Sequence, residues 1–94
     1  MPTPVITISK RTADADGVDP IVISGIPTGS GLTVLYVDSG DELYRVDDLG
    51  DTSVNLTFNE AGDYEAIVFV PTYEHDDGRV LGGGNTFSYL LEAI

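Results

Sequence analysis

Apolar and polar residues alternate with a period of two along this chain, and no stretch of ten or more residues between its Gly, Pro and Asp breaks carries an amphipathic helical repeat. The clearest run sets Val54, Leu56 and Phe58 against Ser53, Asn55, Thr57 and Asn59. Successive side chains of a strand point to opposite faces, so this pattern requires a half-buried strand. Repeated along the chain, it predicts an all-β fold. Strands are expected at about 4–10, 20–26, 32–38, 42–47, 53–59, 63–71 and 85–93, separated by turn-rich segments. That number and spacing suit a sandwich or small barrel. The 94 residues suffice for one domain, spanning 1–94, and a domain this small buries little more than about 60% of its unfolded surface.

Three connections carry turn chemistry. Asp38-Ser39-Gly40-Asp41 joins two alternating runs and predicts a tight hairpin. Asn59-Glu60-Ala61-Gly62-Asp63 turns the chain between Phe58 and Tyr64. Pro71 to Gly84 is long for a hairpin connection, and Gly82-Gly83-Gly84 gives it a flexible end.

Sixteen acidic residues against four basic ones give a formal charge of −12. Such a surface repels phosphate backbones and anionic lipids, so neither nucleic acid nor membrane is an expected partner. A hydrophobic content of 41% is too high for a disordered acidic tail, and the charge fits the solvated surface of a folded domain. With no cysteine, disulfides and thiolate metal sites are excluded. No basic segment leads into a long apolar run, so no signal peptide is expected.

Gly62-Asp63-Tyr64-Glu65-Ala66, directly after Val54, Leu56 and Phe58, resembles the immunoglobulin-type turn into strand F. The resemblance implies that Tyr64 forms a tyrosine corner and that Ala66 is a core residue standing where antibody-type members carry a disulfide cysteine, with Gly62 a structural residue of the turn. Ala15-Asp16-Gly17-Val18-Asp19, followed by Ile21 and Ile23, resembles the lead-in to the second strand of prokaryotic immunoglobulin-like repeats. Together with the Ser24-Gly25-Ile26-Pro27 turn and the terminal strand ending Glu92-Ala93-Ile94, these features cover nearly the whole chain and are most similar to small free-standing structural proteins of tailed-phage virions. The resemblance implies an immunoglobulin-like Greek-key β-sandwich of about seven strands. It also implies a virion protein, a capsid decoration or tail-associated component assembled in the host cytoplasm, present in many copies or as a homo-oligomer with protein partners. A receptor- or carbohydrate-binding adhesin module, with or without calcium to steady it, is the alternative.

Residues able to carry chemistry are few. Asp14, Asp16 and Asp19 surround Gly17 and could ligate a hard cation, but the EF-hand spacing is not met, and a solvated acidic turn is the competing expectation. His75, the single histidine, sits among Glu74, Asp76 and Asp77 and reads as an exposed loop residue. No serine carries a nucleophile motif, and Gly82 to Gly84 lacks the Lys and Ser or Thr of a phosphate-binding loop. No catalytic residue, no metal and no cofactor are expected.

The more informative signal is an excess of apolar residues on two strands. Tyr64, Ala66, Val68 and Val70 can fill a core, yet Ile67 and Phe69 lie on the opposite face of the same strand. Leu32, Val34 and Tyr36 repeat this against Leu35 and Val37. Adjacent strands would merge the surplus into one patch, which on a soluble protein often marks an interface. The expected interface comprises Leu35, Val37, Tyr44, Ile67 and Phe69 with Tyr73, His75 and Arg79 from the 71–84 connection. Two alternatives remain: that connection folds over the patch, or the register is one residue out, which would exchange the faces.

Overall fold

The computed structural model describes residues 5–70, 73–74, 80–81 and 85–94, with side chains described for 5–70 and 86–94. Its strands are β1 (Thr7–Ile8), β2 (Thr12–Ala13), β3 (Ile21–Ser24), β4 (Gly31–Tyr36), β5 (Glu42–Val46), β6 (Ser53–Leu56), β7 (Gly62–Val70), β8 (Tyr73–Glu74), β9 (Val80–Leu81) and β10 (Asn85–Ala93). Among the described residues no helix is long and apolar enough to cross a membrane. A three-stranded sheet of order β1-β3-β6 faces a five-stranded sheet of order β2-β10-β7-β4-β5 in a β-sandwich-like arrangement, and β8 pairs with β9 alone.

The core sits between the two sheets and is built by alternation. From β7, Tyr64, Ala66, Val68 and Val70 are buried; from β4, Leu32 and Val34; from β3, Ile21 and Ile23. Leu56 and Phe58 close it from the small sheet's side. Burying each such aliphatic side chain contributes roughly 1.5–3 kcal/mol.

The chain changes sheet early, and this corrects the single first strand expected over 4–10. β1 ends at Ile8, and the next residue, Ser9, donates its N–H to Val22 O at 2.9 Å while its Oγ accepts from Val22 N–H at 2.9 Å. After Lys10 and Arg11 the chain crosses to the large sheet, where β2 pairs in parallel with β10, Thr12 opposite Glu92 and Ala13 opposite Ala93. At the start of the small sheet Gly25 adopts φ +77° and lies so close to Val5 that an added Cβ would stand 2.1 Å from its carbonyl oxygen. Only glycine permits both the left-handed backbone and that approach.

The strand expected over 53–59 ends its pairing at Leu56, although Phe58 still points inward. The 71–84 connection is not without structure, since Tyr73 pairs with Leu81 and Glu74 with Val80. Gly82 to Gly84 lie outside the described residues.

Candidate functional site: two open surfaces of the sandwich

The outer face of the five-stranded sheet is one of these surfaces, and its geometry follows from register. Phe69 of β7 stands between Gly31 of β4 and Thr86 of β10; Ile67 stands between Thr33 and Ser88; Glu65 stands between Leu35 and Leu90. Gly31 offers no side chain to cover Phe69. Phe69 is 38% exposed, Val37 47% and Leu90 64%, while Leu35 and Ile67 are half-buried. Val37 N–H donates to Asp63 O at 3.1 Å, which extends the face past the end of β4.

This face is apolar but not continuous, because the Glu65 carboxylate separates Leu35 from Leu90. Leu90 is a member that alternation alone did not mark. Its parity with Thr86 and Ser88 could have identified it, but the Leu90-Leu91 pair obscures which leucine faces inward; Leu91 is 3% exposed. Beside Leu90, Arg11 donates to the Leu90 carbonyl at 3.3 Å and lies 5.4 Å from the centre of the Tyr89 ring.

Tyr44 is separated from that face. It is the cross-strand partner of the buried Val34, so it belongs to the inward side of the sheet. A bulge between Val34 and Leu35 pairs Leu35 with Glu42 and leaves Leu43 extra. Leu43 and Tyr44 instead line the second surface, a groove of about 310 Å³ between the sheets, with Val34 and Tyr36 from β4, Leu56 from β6, and the 57–60 segment. The backbone of Tyr73 lies in β8 and its side chain is not described; His75 and Arg79 fall outside the described residues.

The three residues expected to shape the corner lie together. Tyr64 is 1% exposed and its hydroxyl donates to Glu60 O at 2.6 Å; Ala66 is fully buried; Gly62 opens β7 opposite Ala93. Burial holds the Tyr64 phenol above its ordinary range, with Tyr36 and Glu60 adding to the shift. Burial likewise raises Tyr89, against the opposing pull of Arg11.

The acidic turn is occupied by the protein's own donors. Asp16 Oδ1 accepts the N–H groups of Val18 at 3.0 Å and Asp19 at 3.1 Å. Asp19 accepts Asp14 N–H at 2.9 Å through Oδ2 and pairs with Lys10 through Oδ1. The Lys10 bond, then the Asp14 N–H, hold the Asp19 carboxyl below its ordinary value. Among the described residues no three His, Cys, Asp or Glu side chains converge as a metal site. Asp14 carries the turn through its backbone.

Comparison of the chain with protein-family models, curated proteins and solved structures finds no match.

Proposed function

We propose that this chain is an immunoglobulin-like structural module that acts by protein–protein assembly through the outer face of its five-stranded sheet. The observation that carries the proposal is the exposure of Val37, Phe69 and Leu90 on one sheet face, backed by half-buried Leu35 and Ile67. Large apolar side chains exposed together on one face mark an interaction surface, here interrupted by the Glu65 carboxylate between Leu35 and Leu90.

The strand order supports the immunoglobulin-like part of the reading. With β1, β3 and β6 in the places of strands A, B and E, and β4, β7 and β10 in those of C, F and G, the order β1-β3-β6 against β10-β7-β4 follows the family's two sheets. β5 is then an added edge strand beside C. The Tyr64 to Glu60 bond has the form of the tyrosine corner.

The setting we propose is a tailed-phage virion, as a multicopy capsid decoration or tail-associated component. That part rests on the resemblance of the Ala15–Asp19 and Gly62–Ala66 segments. The mechanism is sheet-face burial for affinity, with the formal charge of −12 keeping assembled particles apart. The partner is a protein, with a second copy of the chain as the first occupant to test. Replacing Phe69 by Glu places a charge at the Gly31–Thr86 end of the face, which carries its exposed aromatic ring. Loss of association in a folded Phe69→Glu protein supports the reading; undiminished association overturns it.

A further inference from the structure

The groove between β5 and β6 lies on a different side of the sandwich from the face discussed above. β6 ends the order of the small sheet and β5 that of the large one, so the groove is flanked by two strand edges that no other strand pairs among the described residues. Its floor is apolar and aromatic, with Val34, Tyr36, Leu56, Phe58 and Tyr64, and its wall is formed by Leu43 and Tyr44, exposed at 41% and 40%.

The backbone polarity of β6 follows from its neighbour. Ser9 takes both polar backbone groups of Val22. Val22 therefore turns its N–H and C=O towards β1, and Ile21 and Ile23 turn theirs towards β6, onto Leu56 and Val54. Asn55 lies between these two and points its own N–H and C=O away from β3, along the open edge. An edge that offers backbone donors and acceptors beside an apolar groove is the form that accepts an added strand.

The charge around the groove selects the occupant. Glu60 lines the groove; Asp41 precedes β5, Glu42 opens it, and Asp47, Asp48 and Asp51 lie in its connection to β6. Arg45 is the one cation in 41–60, and it bonds Asp47 at 2.8 Å and lies 3.9 Å from Glu42.

We propose that the β5–β6 groove is an acceptor for an extended segment of a partner protein, basic on one side and apolar on the other, which adds to the edge of β6 at Asn55 and sets its apolar side chains between Tyr44 and Phe58. The added strand is antiparallel or parallel to β6 and about five residues long, as strands usually are.

The test is titration calorimetry of the full chain with a capped peptide of about six residues alternating valine and lysine, alongside the same peptide with glutamate for lysine. The expected result is saturable one-site binding of the lysine peptide alone, with amide shifts in 42–46 and 53–60. Asn55→Pro removes the edge N–H but no bond to β3, and edge strands tolerate proline there. It and Tyr44→Ala each weaken binding at least about ten-fold, while Phe69→Glu leaves it unchanged, which separates this groove from the outer face. Lack of saturable binding, equal affinity of a folded Asn55→Pro protein, or shifts centred on Ile67 and Leu90 overturns the proposal. A wild-type dimer dissolved by Asn55→Pro also overturns it, by seating a second copy on the edge.

Discussion

The Tyr64 hydroxyl donates to the carbonyl of Glu60, four residues upstream, at 2.6 Å, and so fastens the first buried ring of β7 to the turn that delivers the chain from the small sheet. The ring itself lies 4.4 Å from Phe58 and 5.2 Å from Tyr36, centre to centre. Tyr64→Phe keeps this packing and deletes the bond, so urea unfolding should show a loss of about 1 kcal/mol, the usual net worth of one hydrogen bond. The phenol's folded value lies above the 10.0 of a free tyrosine. Its contribution is therefore complete below that pH and lost as pH rises through the folded value. Tyr64→Phe should remove this part of the alkaline decline and leave assembly untouched.

Gly25 and Gly29 both adopt left-handed backbone, at φ +77° and +86°, but only at Gly25 would a side chain strike the main chain. Alanine at Gly29 meets Asp48 Oδ1 at 3.9 Å, an ordinary contact, and should cost only the left-handed backbone term of roughly 1–2 kcal/mol. Gly25→Ala should cost measurably more and loosen β1, seen as faster amide exchange at Thr7 and Ile8. Equal costs for the two variants would show that the Val5 approach carries no energy.

Acid should act on the turn at 14–19. The folded Asp19 carboxyl lies below its ordinary 3.8 because of Lys10 and the Asp14 N–H. Its contribution is present above that ordinary value and lost as pH falls through the folded one. Asp19→Asn should lower the neutral-pH melting temperature and flatten the acid limb of the stability curve. Because Asp16 and Asp19 already accept N–H donors, EDTA should leave the wild-type melting temperature unchanged.

Much of this architecture was legible in alternation. Tyr64, Ala66, Val68 and Val70 declare one face of β7 and Ile67 and Phe69 the other, and the same parity sorts Leu32 and Val34 from Leu35 and Val37. What alternation cannot express is geometry set by distant partners. β2 has only Thr12 and Ala13, and it exists because Glu92 and Ala93 lie beside them in parallel. Tyr44 fell on the wrong side for the same reason. The bulge at Leu43 shifts the pairing of β5 against β4, and no residue type there announces it. The groove at β5–β6 was likewise invisible, since a free edge is a property of sheet order and not of any one strand.

The central claim, that the outer sheet face is an assembly surface, is tested most directly by the mass of the purified chain in light scattering across a concentration series. Wild type should associate as concentration rises, and more strongly with added salt, which screens the −12 formal charge. Phe69→Glu should remain monomeric with unchanged circular dichroism, because residue 69 stands exposed on the sheet. A wild type that stays monomeric at every concentration and salt, or a Phe69→Glu protein that associates as wild type does, would contradict the account.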